Sequence, residues 1–200
     1  RFCKSLDFNG LKDFKVWYEA GKGARYTEVV PVGEDDNAER ISTGLSSGIM
    51  RSLERTLGKE SYPVLETFVE DIVSASSIIV RGEGEAESYS ALLRESIEKF
   101  YPEKKIIWNP QGEEEADLCL AVSITGKEKL TMDSISRVVF AGGKADVISA
   151  NPQSLISKAA TNAIQVSDEL FFKGDEHILG KFSILAVIEI LTVLMGKDKV

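Results

Sequence analysis

Short apolar runs alternate with helical segments from residue 77 to residue 195, and this alternation constrains the fold more than any other feature. The run at 118–122, Leu-Cys-Leu-Ala-Val, is unbroken, which is typical of a strand covered on both faces. The strand-like runs are 77–80, 105–108, 118–122, 145–148 and 163–166. Strands separated in this way need crossover connections, so the pattern predicts an α/β protein with a parallel sheet and helices on both faces.

Five such strands fit a three-layer, doubly wound sandwich of the flavodoxin-like type, with strand order 2-1-3-4-5. Two amphipathic helices precede the first strand. Leu45, Ile49 and Leu53 recur every four residues in the first helix. We therefore expect residues 1–42 to form an N-terminal arm, and residues 43–200 to form the α/β domain with its two leading helices. Helical spacing within the domain predicts that Leu92 and Val139 face inward.

Composition limits the classes of partner. The net charge is −8, and no basic cluster with interleaved aromatic residues is present, so we expect neither nucleic acid nor an anionic membrane as a partner. The most apolar stretch, 182–195, is shorter than a membrane span and contains Glu189, which predicts a buried helix. Cys119 lies inside an apolar run, so we expect a buried, reduced thiol and a cytoplasmic location.

The expected ligand site follows from topology. In an open parallel sheet, ligands bind outside the carboxyl ends of the strands, where the strand order reverses. Here that point lies between the first and third strands. The residues that leave these strands are 82–84, Gly-Glu-Gly, and 123–127, Ser-Ile-Thr-Gly-Lys.

The second of these segments has chemistry that suits an anion. Ser123 and Thr125 supply hydroxyl groups, Gly126 permits close approach of the backbone, and Lys127 adds a positive charge. The helix that follows offers free N–H groups and the positive end of its dipole. In the alternative interpretation, the two hydroxyls only cap the helix that begins near Glu128.

These segments resemble those of the sugar-isomerase (SIS) domain family over residues 60–197. The resemblance is carried by 116–126, which is similar to the family's strand and phosphate loop, and by Asn151-Pro152 after the fourth strand. The last helix resembles that of the archaeal hexulose-phosphate isomerase branch. The resemblance implies a phosphosugar ligand, a homodimer or homotetramer, and Ser123, Thr125 and Lys127 as phosphate ligands. By the same resemblance, Gly82, Gly84 and Ser88 belong to the first ligand-binding loop.

The sequence departs from the family pattern at several of these positions. Ile124 stands where the family has glycine, and Glu128 stands where the phosphate loop ends in threonine. Ala86 replaces the hydroxyl residue of the first loop, unless Ser88 substitutes for it. Ser183 stands where the isomerase branch carries a glutamate at the start of its last helix.

An aldose–ketose isomerase that works through an enediol needs a basic side chain, and the candidates are Glu176 and His177, the only histidine. Alternatively, both residues merely begin the last helix. The function predicted is therefore phosphosugar binding, with sugar-phosphate isomerisation if the protein is an enzyme. The alternative is a non-catalytic sensor or oligomerisation module. We expect no cofactor and no metal, because one histidine and two distant cysteines do not make a usual zinc site.

Overall fold

The computed structural model describes residues 36–112, 114–167 and 178–197. The strands are β1 (Ser77–Gly82), β2 (Lys105–Trp108), β3 (Leu118–Ser123), β4 (Lys144–Ser149) and β5 (Asn162–Gln165). The helices are α1 (Ala38–Thr56), α2 (Ser61–Ser74), α3 (Ala86–Phe100), α4 (Lys129–Phe140), α5 (Leu155–Ala159) and α6 (Ile178–Lys197). The predicted arm at 1–42 lies almost wholly outside these residues and stays a prediction.

The five strands form one parallel sheet in the order β2-β1-β3-β4-β5, which confirms the predicted topology. In the register of the two central strands, Ile79 pairs with Cys119 and Arg81 pairs with Ala121. All six residues of β3 are buried, as its unbroken apolar run predicts. The carboxyl ends of β1 and β3 are therefore neighbours at the point where the strand order reverses.

Each face of the sheet has its own apolar core. On one face, side chains from α2, α3 and α6 pack on β1 and β3, with Phe68, Leu93 and Ile188 near the centre. On the other face, Ile135 of α4 and Ile156 of α5 pack on Ile79 and Cys119. Burial raises the pKa of the Cys119 thiol to about 12, so the thiol is protonated and inert as a nucleophile at neutral pH.

Two residues do not face inward as the spacing predicts. Leu92 is 40% exposed on α3, while its neighbour Leu93 is buried. Val139 is 39% exposed on α4, and Val138 is buried instead. When two apolar residues are adjacent in a helix, the apolar spacing alone does not determine which of the two faces the core. In both helices it is the neighbouring residue, Leu93 or Val138, that packs on the sheet.

Helix α6 is apolar on nearly all sides. By length and composition alone it could cross a membrane, since residues 179–197 have a mean hydropathy of 1.9. Its buried residues, among them Ile184 and Leu191, belong to the core beneath the sheet, as predicted for 182–195. A helix that is hydrophobic all round is also what the core of a soluble α/β protein contains.

A polar cluster lies at the amino ends of the strands, opposite the predicted site. Lys144 Nζ contacts Asp71 Oδ1 at 2.5 Å, and Asn162 Nδ2 donates to Asp71 Oδ2 at 3.2 Å and to Asp146 Oδ1 at 2.8 Å. Asp146 is fully buried, and its second oxygen has no hydrogen-bond partner among the described residues. Burial raises the pKa of Asp146 to about 7, although the bond from Asn162 lowers it in part.

Candidate functional site

The turn that leaves β3 is folded around the carboxylate of Glu128. Ile124 N and Thr125 N donate to Glu128 Oε1 at 3.1 and 2.9 Å, and Ser123 Oγ donates to Glu128 Oε2 at 2.8 Å. Burial raises the pKa of Glu128, but these hydrogen bonds outweigh it and hold the pKa below its ordinary value. The turn is thus a cradle for an anion, and in this structure its anion is a side chain of the same chain.

Close backbone packing shapes the far side of this cradle. Gly126 has φ +75, and a Cβ placed there would lie 2.2 Å from Ser154 Cβ. Asn151 Nδ2 donates to Thr125 O at 3.1 Å, which ties the turn after β4 to the turn after β3. Glycine is therefore required at position 126 for two reasons, its backbone conformation and the absence of a side chain.

A second carboxylate occupies the N-terminus of α4. Glu83, in the turn after β1, accepts hydrogen bonds at its Oε1 from Thr131 N at 2.6 Å and from Thr131 Oγ1 at 3.1 Å. The N-cap residue of α4 is Glu128, whose side chain makes no capping hydrogen bond to the helix. Glu83 therefore supplies from another element the acceptor that an N-cap side chain normally provides, and it places a negative charge where the helix dipole favours one.

The alternative in which Ser123 and Thr125 cap α4 does not agree with these contacts. The Ser123 hydroxyl accepts from Gly126 N at 3.1 Å and donates to Glu128, while Thr125 Oγ1 accepts from Lys127 N at 3.2 Å. All of these bonds lie within the turn itself. Both hydroxyls build the cradle rather than the helix start.

The first predicted loop is tightly packed at its beginning and open at its end. A Cβ at Gly82 would lie 2.4 Å from the carbonyl oxygen of Ala86, so the start of α3 requires glycine there. Gly84 has φ +57 and open space around it. Ser88 is exposed on α3, whereas Ser90 is buried beside Gly82.

The remaining predicted residues fall in different places. Lys127 is exposed at the rim of the cradle. Ser183 is buried, and its hydroxyl lies 2.7 Å from Ser52 Oγ of α1, so it joins two helices. Glu176 and His177 lie outside the described residues, as does the acidic Asp175 before them. Among the described residues, no three His, Cys, Asp or Glu side chains come together as a metal site.

The sequence indicated the cradle but not its occupant. Glu128 was visible as a departure from the family's threonine, and an acidic residue three positions after a turn N–H can reach back to it. The role of Glu83 depends on the pairing of β1 with β3, which brings its loop to the start of α4. The sequence around Glu83 contains no pattern that predicts its contact with Thr131, which lies in another element.

Comparison with known proteins rests on structure alone, because no family model and no curated protein matches the sequence. The Vibrio vulnificus NanR protein in complex with ManNAc-6P superposes with a TM-score of 0.65 at 17% identity, covering 98% of this chain and 72% of that one. The sugar isomerase domain of the RpiR transcription factor from Sphaerobacter thermophilus gives 0.67 at 14% identity, covering 78% and 90%. This chain has the SIS fold.

A third structure with the SIS fold is a Methanococcus jannaschii protein for which the function of a 3-hexulose-6-phosphate isomerase was inferred. It superposes with a TM-score of 0.58 at 12% identity, covering 77% of this chain and 88% of that one. Proteins with the SIS fold thus include both regulators and an inferred isomerase, and identities this low establish the shared architecture only.

Proposed function

We propose that this chain is a phosphosugar-binding SIS domain that binds its ligand as a sensor and does not turn it over. The observation that carries the proposal is the convergence of Ile124 N, Thr125 N and the Ser123 hydroxyl on one carboxylate. Backbone N–H groups and a hydroxyl arranged around an anion are also what a phosphate monoester requires. The cradle lies where ligands bind in open parallel sheets.

In this proposal the phosphate replaces the carboxylate of Glu128. The two anions need the same three donors, so they cannot occupy the cradle together. Glu128 is only half-buried, and a rotation of its side chain toward solvent frees the donors. Ligand binding is then weaker than the cradle alone would allow, because part of its free energy is spent on displacing an internal anion.

The sugar is expected to extend from the cradle toward the turn after β1. The pairing of β1 with β3 places that turn beside the cradle, and Gly84 leaves open space there. Lys127 is exposed at the rim and can approach a phosphate from the solvent side. The ManNAc-6P bound by NanR is a phosphorylated sugar of the class that we propose here.

Two observations favour binding over turnover. The carboxylate of Glu83, in the turn after β1, is committed as an acceptor from Thr131 N and the Thr131 hydroxyl, so it is not free to act as a base. Ser183, which stands where the isomerase branch has a glutamate, offers no carboxylate and is bonded to Ser52.

A thermal-shift panel tests the proposal. Mannosamine-, glucose-, fructose- and ribulose-phosphates are titrated into the protein, and each unphosphorylated sugar serves as its matched control. A ligand at a hundred times its Kd stabilises by about 2.7 kcal/mol, which is readily measured. We expect at least one phosphorylated sugar, and none of the controls, to shift the transition. If every phosphorylated sugar shifts the transition no more than its unphosphorylated control does, the proposal is contradicted.

A second candidate function is sugar-phosphate isomerisation, which the shared fold with the inferred hexulose-phosphate isomerase favours. Glu176 or His177 would then be the base. The same sugars are followed for aldose–ketose interconversion with the wild type and with His177→Ala. The sensor proposal expects no turnover by either protein. Turnover that is lost in His177→Ala would establish the isomerase in its place.

We further propose that the chain forms a homodimer or homotetramer in the cytoplasm. Phe182, Leu185 and Val193 are exposed along one side of α6, with Glu189 as the single charge among them. An apolar stripe of this kind is typical of a contact between subunits. The buried, protonated thiol of Cys119 suits a reducing compartment.

A further inference from the structure

A cavity lies between α4 and the turn after β2, apart from the cradle. Its volume is about 430 Å³, and none of its lining residues belongs to the turn at 123–128. The lining residues are Arg81, Pro110, Gln111, Gly112, Leu130, Asp133, Ser136 and Arg137. Two arginines therefore line one cavity, Arg81 at the end of β1 and Arg137 in the last turn of α4.

Arg81 is an unusual residue to find in this position. It is the penultimate residue of β1, only 1% exposed, and its side chain points to the face of the sheet that α4 covers. Arg81 Nη1 donates to Pro110 O at 2.6 Å, but Nε is buried with no acceptor among the described residues. A guanidinium cannot lose its proton in a protein, so this site holds a permanent buried charge.

Arg137 repeats the arrangement from the helix side. Its Nη1 donates to Gly112 O, and its Nε is likewise buried with no acceptor in the described part of the chain. Each arginine thus makes one bond to a carbonyl of the turn after β2. Asp133, the carboxylate on the cavity wall, is exposed and forms no ion pair within 4 Å with either described arginine.

The turn after β2 is built to keep this geometry. Asn109 has φ 44, a left-handed conformation that asparagine tolerates, and its Oδ1 accepts from Gly82 N at 3.0 Å. This arrangement turns the carbonyl of Pro110 toward Arg81 and fixes the wall of the cavity. Both guanidinium charges also act on the nearby Cys119 thiol. Burial raises the pKa of that thiol, and the positive charges of the two arginines lower it in part.

Neutral carbonyls do not balance two positive charges. A buried charge without a counter-ion is strongly unfavourable, and two guanidinium groups at one cavity repel each other. An oxyanion relieves both effects, because the planar N–H fork of arginine matches the two oxygens of a carboxylate or phosphate.

We infer that the cavity between α4 and the turn after β2 is a second anion site, at which Arg81 and Arg137 bind a carboxylate or phosphate group of a small molecule. The site differs from the cradle in the nature of its donors. The cradle offers backbone N–H groups that an internal carboxylate already uses, whereas this site offers two guanidinium groups that pair with no carboxylate among the residues the structure describes. A ligand here does not compete with Glu128.

The test compares inorganic phosphate, malonate and chloride at matched ionic strength, with the thermal transition and calorimetric titration as readouts. Three variants are used. Arg137→Gln removes one charge from a helix that tolerates glutamine, and Arg81→Lys keeps the buried charge but loses the planar fork. Lys59→Gln removes an exposed charge from the turn between α1 and α2, outside both anion sites, and is the matched control.

We expect phosphate or malonate to raise the transition temperature by several degrees above chloride. The anion that binds more tightly identifies the ligand group. Arg137→Gln should weaken binding about tenfold or more, since a hydrogen bond between charged groups is lost, and Arg81→Lys should weaken it as well. Lys59→Gln should bind the anion as tightly as the wild type.

Two results would overturn the inference. One is an absence of any stabilisation above that given by chloride. The other is an anion affinity that Arg137→Gln leaves as unchanged as Lys59→Gln does, because the anion would then be bound elsewhere in the protein. Neither result bears on the phosphosugar panel, in which the sugars are compared with their unphosphorylated forms.

Discussion

Three carboxylates in this protein have shifted pKa values, and the direction of the shift depends on whether backbone N–H groups or burial dominates. Glu128 and Asp117 each receive backbone N–H groups, which hold their pKa values below the ordinary range. Asp146 is enclosed by β4, α2 and β5 with one oxygen unbonded, and burial raises its pKa to about 7. The first two carboxylates stabilise turns as anions, whereas Asp146 is tolerated in the fold most readily when it is protonated.

Asp146→Asn is predicted to stabilise the protein at pH 8. The folded-state pKa of Asp146 is raised from 3.8 to about 7, so its contribution to stability is full below pH 3.8 and is lost as the pH rises through 7. At about 1.4 kcal/mol per pKa unit, the loss has an upper limit of ~4 kcal/mol. The asparagine keeps the oxygen that Asn162 bonds and removes the charge beside Asp71.

The measurement is urea unfolding of both proteins at pH 5 and pH 8. The gain in unfolding free energy from Asp146→Asn should be larger at pH 8 than at pH 5. Lys144→Gln serves as the control for the cluster, since it removes the cation bonded to Asp71 and should destabilise. A gain that does not change with pH would mean that Asp146 is ionised in the folded protein throughout this range.

At the scale of elements, the turns after the strands carry the geometry of the site. Gly126→Ala places a Cβ 2.2 Å from Ser154 Cβ in a backbone conformation of φ +75. We expect a loss of about 3 kcal/mol in unfolding free energy, from overpacking together with backbone strain. The measurement is chemical denaturation.

Gly142→Ala is the matched control for this substitution. Gly142 has φ +90, but a Cβ there meets nothing within 4 Å, so the change introduces strain without a clash. It should cost about 1 kcal/mol. Equal losses in the two variants would show that the packing of Gly126 against the turn after β4 is unimportant.

The strands were predictable from the sequence to within two residues because their apolar runs are short and clearly bounded, whereas α1 begins at Ala38, inside the segment 1–42 predicted to be an arm. The unbroken run in β3 and the apolar spacing of α3 and α4 depend only on local sequence. The strand order followed from the fit of five crossover-connected strands to the flavodoxin-like type. The exposed positions of Leu92 and Val139 did not follow, since an apolar neighbour in each helix allowed another phase.

The site was predictable only in outline. The location of the cradle depends on where strand order reverses, and this is a property of the topology. Its occupation by Glu128, the cap from Glu83 and the burial of Arg81 depend on which side chains meet across elements distant in sequence. No local pattern distinguishes an arginine that faces a cavity from one that faces solvent.

At the scale of the whole molecule, α6 has one side packed in the core and another side on which apolar side chains are exposed. Val193 is 70% exposed and Phe182 is 42% exposed on that face. Val193→Glu is predicted to shift the protein from an oligomer toward the monomer, because the new charge would be buried without a partner at the subunit contact.

Sedimentation velocity over a range of protein concentrations measures this shift. Gln153→Glu adds the same charge at an exposed position in the turn before α5 and should leave the oligomer unchanged. A wild-type protein that sediments as a monomer at all concentrations would contradict the proposed assembly.

Calorimetric titration of Glu128→Thr tests the central claim most directly, using the phosphosugar that gives the largest shift with the wild type. Threonine removes the internal anion and leaves Ser123 Oγ and the two turn N–H groups free to bind phosphate. If Glu128 competes with the ligand, the variant should bind the phosphosugar at least about tenfold more tightly than the wild type, a gain of ~1.4 kcal/mol. A folded variant that binds no more tightly than the wild type, or does not bind at all, would show that Glu128 does not compete with an anionic ligand for the turn after β3.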